Sequence, residues 1–337
     1  MQIQENKSLK AFNTFGIDVK TKYFAEYQSV QELKEILVSD IVKDNPVLHI
    51  GSGSNLLFLS DYKGIILHSQ LKFIENVQED EESVLLRVGS GIVWDDFVAY
   101  CVEKNFYGVE NLSLIPGEIG ASAVQNIGAY GMEVKDVIET VEAIEIKTRQ
   151  ARIFTNQECA YDYRQSIFKG ELKGEYIITA VNFRLKKQAA FMLDYSHLTD
   201  AVLQQGEINL ATIRKTIIQI RQSKLPDPKI TGNAGSFFMN PIVSKEKFQE
   251  LQLSYPSMPH YTVSEAEEKI PAGWMIEQCG FKGKAFGNVA VHDKQALVLV
   301  NLGGATGKEV ADLSAEIQKS VWDKFGVEIS AEVNFIL

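Results

Sequence analysis

Val47-Leu48-His49-Ile50-Gly51-Ser52-Gly53-Ser54-Asn55-Leu56 reads as a short apolar strand running into a glycine-rich turn. Glycine lets backbone N–H groups come close and cradle phosphate oxygens. The turn is not the dinucleotide fingerprint of a Rossmann strand, because its sixth position is Leu56 rather than glycine. A second turn, Gly89-Ser90-Gly91, closes the expected strand Val84 to Val88, and a third loop follows at Pro116-Gly117-Glu118-Ile119-Gly120-Ala121. One such loop alone is better explained as a plain turn. Two after successive strands and a long third one fit a pyrophosphate ligand such as a flavin dinucleotide. The stretch Gly303 to Lys308 fails as a P-loop, since its glycines enclose three residues and Glu309 follows the lysine.

Outward from these turns, short β-rich runs alternate irregularly with helices. Ser29-Val30-Gln31-Glu32 reads as a capping box that opens a helix with Leu33, Ile36 and Leu37 on one face. Ile65 to Leu67, Val141 to Ile146, Ile153 to Thr155 and Ile177 to Leu185 read as strands, and the acidic run Glu79 to Glu82 as a solvated turn. Trp94, Phe97, Val98, Cys101 and Val102 fall at helical spacing and belong to a core. Ile115 to Gly131 reads as one long glycine-rich stretch. Ile213, Ile217 and Ile220 mark a helix that Lys224-Leu225-Pro226-Asp227-Pro228 must end, and this is the expected domain boundary. Beyond it come a polar loop from Thr231 to Ser236, a short helix near Trp274-Met275-Ile276 and a strand from Ala296 to Val300. An amphipathic helix carrying Val310, Leu313, Ile317, Val321 and Phe325 is closed by Gly326, and a strand runs from Ile329 to Ile336. Because strands and helices do not alternate regularly, the fold class is α+β.

The chain has 337 residues, which on length alone predicts two domains. With 45% apolar and 23% charged residues it has the composition of a globular protein rather than of a disordered chain, a collagen or a coiled-coil rod. Lys plus Arg is 34 and Asp plus Glu is 44, so the net charge is −10. That balance argues against nucleic acid and anionic membranes as partners, since both need a basic surface. Cys101, Cys159 and Cys279 are far apart and contain no CxxC pair, so neither a zinc site nor a disulfide scaffold is expected. The first residues, MQIQENKSLK, hold no apolar signal region, and no window approaches the roughly 18 apolar residues of a membrane span. A soluble cytoplasmic protein without a metal is expected.

A set of segments then carries a resemblance. Asn13-Thr14-Phe15-Gly16-Ile17, Gly51-Ser52-Gly53-Ser54-Asn55-Leu56-Leu57, Ile115-Pro116-Gly117 and Gln125-Asn126-Ile127-Gly128-Ala129-Tyr130-Gly131 come first. Tyr163-Arg164-Gln165-Ser166-Ile167-Phe168, Lys224-Leu225-Pro226-Asp227-Pro228, Gly232-Asn233-Ala234-Gly235-Ser236-Phe237-Phe238, Ala272-Gly273-Trp274, Gln295-Ala296-Leu297-Val298 and Glu332-Val333 follow in the same order. The sequence resembles the UDP-N-acetylenolpyruvoylglucosamine reductase family, the peptidoglycan-precursor flavoenzymes often called MurB. The resemblance implies a two-subdomain FAD-binding fold of the p-cresol methylhydroxylase and vanillyl-alcohol oxidase (PCMH/VAO) type, plus a C-terminal α+β substrate-binding domain. On that basis residues 1–69 form FAD-binding subdomain 1, joined by a C-terminal strand at 329–337. Residues 70–224 form subdomain 2 and residues 225–328 the substrate-binding domain. The segment Phe191 to Leu198 resembles the tyrosine-bearing loop of the longer, type I members.

The implied reaction is the NADPH-dependent reduction of UDP-N-acetylglucosamine enolpyruvate to UDP-N-acetylmuramate through non-covalent FAD. Hydride reaches C3 of the enolpyruvyl group, charge builds at C2 and its carboxylate, and a proton completes C2. The resemblance makes Ser236 the proton donor, Arg164 the cation near the substrate carboxylate and Glu332 the third catalytic group. Read without it, Ser236 is a turn residue, Arg164 a surface or paired arginine beside Asp162, and Glu332 a solvated side chain. Gly51, Ser52, Gly53, Ser54, Asn55, Leu56, Pro116, Gly117, Ile119, Gly120, Ala121, Gln125, Asn126 and Gly128 are the implied FAD contacts. Tyr130, Tyr195, Arg221, Lys224, Asn240 and Gln295 are the implied substrate contacts.

Gln165 stands where many relatives carry an acidic residue, and Met239 where some carry lysine. His49, His68, His197, His260 and His292 match no covalent flavin attachment. Two competing readings are a flavin-dependent oxidase on the same fold and a non-catalytic sugar-nucleotide-binding regulator. A monomer is expected. Both anionic ligands would meet a local surplus of cations, because residues 214–229 hold Arg214, Lys215, Arg221, Lys224 and Lys229 against Asp227 alone, a balance of +4.

Overall fold

The computed structural model describes residues 2–195 and 198–337, so Ser196 and His197 of the expected tyrosine-bearing loop lie outside the described residues. The chain forms two compact units. One holds the residues up to Lys7, Thr21–Ser52 and Lys63–Ser223; the other holds Ser8–Lys20, Gly53–Tyr62 and Lys224–Leu337.

The first unit is built on two sheets. In one, the strands Ile3–Ser8, Lys20–Tyr27, Tyr62–Ser69 and Val47–Ile50 lie side by side in that order, with the last pair parallel. Helices α1 (Val30–Val38) and α2 (Asp40–Asp44) accompany it, and Leu33, Ile36 and Leu37 of α1 are buried in a core with Ala25, Ile65 and Leu67. The Ser29 hydroxyl accepts the Glu32 N–H as the sequence predicts, but the Glu32 carboxylate reaches past the cap to the Gln28 N–H at 2.7 Å. The box is therefore open by one residue.

The other sheet is antiparallel, ordered Ala151–Thr155, Ile138–Glu145, Tyr176–Lys186, Ser83–Gly89 and Ile74–Glu79. Tyr176–Lys186 is central and carries an almost unbroken buried run, as a strand covered on both faces must. Helix α3 (Trp94–Glu103) lays Trp94 and Phe97 against Phe183, and the Trp94 indole N–H donates to the Leu112 carbonyl at 2.8 Å. Helix α4 (Ile119–Gln125) interrupts what the sequence reads as a continuous glycine-rich stretch. Its small residues are what permit it. A Cβ on Gly120 would stand 3.0 Å from the Ser90 Cβ, and the Gly120 N–H donates to the Ser90 carbonyl at 3.0 Å. Helices α5 (Leu198–Leu203) and α6 (Leu210–Lys224) form a smaller core from Leu198, Val202, Ile213 and Ile217.

In the second unit the strands Gly232–Ser236, Val298–Asn301, Val289–Val291 and Ala285–Phe286 form an antiparallel sheet. The polar loop expected from Thr231 to Ser236 is thus mostly strand, formed because Val298–Asn301 offers it a ladder. Helices α7 (Lys245–Ser254), α8 (Ala272–Gln278) and α9 (Gly307–Phe325) complete the unit. Thr306 and Glu309 cap α9 reciprocally and Gly326 ends it in the left-handed region at φ 61°. Of the strand expected from Ile329 to Ile336, only Asn334–Ile336 is regular, and it pairs in parallel with Leu56–Phe58. Upstream of it the chain is held by single bonds, with Ala331 bridged to Phe238.

Candidate functional site

Within the first unit the three glycine-rich turns converge. A Cβ on Gly51 would lie 3.1 Å from Oε2 of Glu118, so the first turn packs on the third. The Gly120 N–H bonds to Ser90 in the second turn, the Ile119 N–H to Ile92 and the Trp94 N–H to Gly117, each near 3.0 Å. Pro116 is exposed, Gly117 takes φ 136°, Ile119 and Gly120 are buried, and Ala121 and Gln125 are half-buried along α4. The Ser52 hydroxyl oxygen is buried without a hydrogen-bond partner. An orphaned hydroxyl beside bare glycine backbone is what a site for a pyrophosphate leaves when described without its ligand, and the residues therefore fit FAD.

Asn126 follows α4 in the left-handed region at φ 45° and is fully buried. Its amide donates to Glu133 at 2.9 Å and to the Asp162 carbonyl at 2.8 Å, while its oxygen accepts the Lys135 N–H. Its side chain thus builds the loop. Arg164, itself at φ 55°, donates to the Gly128 carbonyl at 2.6 Å and the Asn126 carbonyl at 3.3 Å. Non-glycine residues at positive φ are costly and persist where surrounding bonds enforce them, which ties Arg164 and this loop together as one set piece.

Tyr130, also left-handed at φ 50°, meets Tyr195 edge to face with centroids 6.0 Å apart. Asn111 ties the two segments that carry these tyrosines together. Its amide donates to the Tyr130 carbonyl at 3.0 Å and the Met192 carbonyl at 2.6 Å. Sequence reading missed Asn111, and no periodicity or motif singles it out. Arg221 on α6 lies near the Tyr130 hydroxyl, and its Nε is buried without a partner. Burial lowers the Arg221 pKa and raises that of Tyr130. Arg214 is already spent, since it grips Asp95 with two bonds of 2.6 and 2.9 Å. The cation surplus of residues 214–229 is smaller than the sequence count by that guanidinium. Lys224 is exposed as the last residue of α6.

The second unit holds the other group of predicted residues. Gly53 sits at φ 68° where a Cβ would be 2.0 Å from the Phe12 carbonyl oxygen, so only glycine fits. Ser54 and Leu56 beside it are half-buried, and Asn55 is buried. The Thr14 N–H donates to the Gly53 carbonyl at 3.3 Å and its hydroxyl is buried without a partner, a further candidate that the sequence did not mark out. The Asn55 amide donates to the Glu332 carbonyl at 3.1 Å, and the Asn55 carbonyl accepts the Asn334 N–H at 3.0 Å.

Ser236 ends its strand one bulge after Asn233, with Gly235 at φ 68°. A bulge re-aims the side chains that follow. Here it leaves Ser236 exposed while Phe237 and Phe238 are buried. The Glu332 N–H donates to the Phe237 carbonyl at 2.8 Å, which brings the Ser236 and Glu332 segments side by side. Asn233 holds the bulge, its oxygen accepting the Gly235 N–H at 2.8 Å. The Asn240 oxygen accepts the Ala272 N–H at the start of α8, and the Gln295 oxygen accepts the Leu297 N–H, so Asn240 braces a distant helix start and Gln295 its own turn. Among the described residues no group of three or more His, Cys, Asp or Glu could hold a metal ion. No described helix is long and apolar enough to cross a membrane.

Known proteins are similar to this chain in sequence and in fold. An FAD binding domain family model matches residues 21–154, and the model for the C-terminal domain of UDP-N-acetylenolpyruvoylglucosamine reductase matches residues 227–336. A UDP-N-acetylenolpyruvoylglucosamine reductase of Bacteroides fragilis (strain YCH46) is 54% identical, covering 99% of this chain and 100% of that protein. One of Porphyromonas gingivalis (strain W83) is 51% identical with both chains fully covered. The crystal structure of the Thermus caldophilus enzyme shares the fold at 20% identity, with a TM-score of 0.71 over the whole of both chains. The chain is an α+β FAD-dependent oxidoreductase with an FAD-binding domain and a distinct C-terminal domain. It belongs to the UDP-N-acetylenolpyruvoylglucosamine reductase family, and its reaction is the one that family performs in peptidoglycan synthesis.

Proposed function

We propose that the chain reduces UDP-N-acetylglucosamine enolpyruvate to UDP-N-acetylmuramate with NADPH, and that Ser236, Arg164 and Glu332 carry the proton and the charge. Bound FAD supplies the hydride relay from NADPH to C3 of the enolpyruvyl group. Ser236 holds a proton at Oγ for C2. A hydroxyl is a weak acid, so it serves only a strongly basic carbon held in register, and the bulge at Gly235 gives it that fixed aim. Arg164 carries a planar, permanent positive charge whose orientation the Gly128 and Asn126 carbonyls set before substrate arrives. Glu332 stands on the segment bonded to Phe237 and acts on the substrate carboxylate beside Ser236.

FAD is held by Gly51, Ser52, Gly53, Ser54, Asn55 and Leu56 and by the segment from Pro116 to Gly128. Tyr130, Tyr195, Arg221, Lys224, Asn240 and Gln295 take the sugar nucleotide. The Tyr130–Tyr195 contact supports the reading of residues 191–198 as the type I loop. The division into 1–69, 70–224 and 225–328 is supported by the separate sheets that end at Ser69 and begin at Ile74, and by the return of Asn334–Ile336 to Leu56–Phe58. The enzyme acts as a cytoplasmic monomer; its three cysteines are free thiols, as a reducing compartment requires.

The observation that carries the assignment is the bulged Ser236 tied to the Glu332 segment through Phe237. The test is a spectrum. NADPH should bleach the flavin band, and anaerobic addition of the enolpyruvyl sugar nucleotide should restore it. A band that recovers only with oxygen, releasing peroxide, would make the protein an oxidase instead.

A further inference from the structure

A buried acid–histidine cluster lies under the glycine-rich turns of the first unit and has no part in the proton transfer above. Nδ1 of His68 is 3.0 Å from Oε1 of Glu26, and Nε2 is 3.1 Å from Oε1 of Glu118. A carboxylate only accepts, so the imidazole bonds both of them at once only as the cation; as the neutral ring its Nδ1 instead accepts from the Gln70 amide, 3.2 Å away. His68 and the Glu118 side chain are both about nine-tenths buried, while Glu26 is more open. Glu118 belongs to the loop Pro116–Ala121, and its side chain is the surface on which Gly51 rests. Its backbone bridges to Val93 on the way into α3.

The groups facing His68 come from three directions. Glu26 lies on Lys20–Tyr27, Glu118 precedes α4, and His49 stands on Val47–Ile50, the strand paired with that of His68. Gln70 adds its amide, 2.7 Å from Oε1 of Glu26 and 3.2 Å from Nδ1 of His68. Tyr27 sits beside His49, their polar atoms 2.9 Å apart. Burial, then the neighbouring His68, pushes His49 down to about 3, so it stays neutral. Burial opposes the charge on His68, but Glu118 and Glu26 outweigh it and raise its pKa.

We propose that His68 is a positioning residue for the flavin: donating to Glu26 and Glu118 together, it fixes the loop Pro116–Ala121 against the Gly51 turn. The inference rests on the reading that these two segments hold FAD. It makes cofactor retention depend on pH. A histidine whose pKa is raised in the folded protein contributes fully below its ordinary value near 6.5 and loses that contribution as pH rises through the raised value.

FAD release from the holoenzyme, followed by flavin fluorescence between about pH 6 and pH 9, tests this. The native enzyme should hold FAD roughly tenfold less tightly at the upper end, the size of one charge-assisted hydrogen bond. His68→Gln should be weakened at every pH and show no such slope. Glu26→Gln should move the midpoint to lower pH while leaving binding near pH 6 almost intact, an effect that loss of packing would not produce, and it serves even if His68→Gln fails to fold. A native profile without slope, a His68→Gln profile equal to the native one, or an unmoved midpoint in Glu26→Gln would each overturn the proposal. Ser52→Ala separates the two levels: it loses no internal bond, and it should weaken FAD if the turn holds it. Weakened binding in Ser52→Ala with a native profile in His68→Gln would sink the His68 role alone. Native affinity in Ser52→Ala would instead remove the site reading beneath it.

Discussion

A Cβ on Gly128 would stand 2.9 Å from Nη1 of Arg164. The glycine leaves the space into which the guanidinium lies, and its carbonyl accepts Nη2 at 2.6 Å. The same Cβ would come within 2.8 Å of the Met132 carbonyl oxygen. Gly128→Ala should therefore displace Arg164 without touching Ser236. Substrate-dependent turnover per bound FAD, with the bound FAD measured by absorbance, should fall by about 10- to 100-fold, the cost of moving a positioned group by an ångström.

Ser236→Ala removes the proposed acid and nothing else from its strand. Reduction of the flavin by NADPH should proceed at the native rate in rapid mixing. Reoxidation by the enolpyruvyl substrate should slow by about 10²- to 10⁴-fold, the usual contribution of a general acid. A native second phase would remove Ser236 from the mechanism.

Asn111→Ala should act at a distance. It strips the Tyr130 and Met192 carbonyls of their donor in a buried setting. Stability should fall by roughly 2 kcal/mol in urea titration. KM for the sugar nucleotide should rise while the NADPH half-reaction stays native, because the clamp orders the two tyrosines and touches no turn that holds FAD.

The Asp95–Arg214 pair predicts a pH signature. Burial raises the Asp95 pKa, but Arg214 and the Leu114 N–H outweigh it and hold the carboxyl below its ordinary range. A carboxyl depressed on folding stabilises above its unfolded pKa of about 3.9 and stops doing so as pH falls through the lower folded value. Asp95→Asn should cost about 3 kcal/mol at pH 7 by leaving Arg214 unpaired, and the gap to the native protein should narrow steadily as pH falls below about 4. A gap of the same size at pH 7 and at pH 3 would deny the pair its charge.

The FAD should be dissociable. Precipitation with acid should leave a colourless pellet and a yellow supernatant. A yellow pellet would mean a covalent bond to a side chain.

Where periodic apolar residues meet a clear stop, the sequence was legible. Helix α9 with Gly326 and helix α6 before its proline pair were both readable, since each rests on local spacing and local backbone freedom. Gly232–Ser236 was not, because its residues have little strand preference of their own and become a strand only when Val298–Asn301 supplies the ladder. Helix α4 stayed hidden for a related reason, as Gly120, Ala121 and Ser122 present no apolar stripe and pack by being small. The site divides in the same way. Arg164, Ser236 and Glu332 were named by likeness to a family, while the residues alone read as surface, turn and solvated strand. Asn111 and Thr14 follow no pattern at all. Their meaning lies in which carbonyl or glycine stands opposite, and only the fold decides that.

The parallel pairing of Asn334–Ile336 with Leu56–Phe58 also sets an order of assembly. The Asn55 amide waits for a partner 277 residues later in the chain. At the ordinary pace of translation that wait is roughly 15 to 55 seconds. Most of the first unit is contiguous from Lys63 to Ser223 and can settle during that time. The turn at Gly53 to Leu56 cannot, so the segment proposed to hold the cofactor is the last part of the chain to be closed.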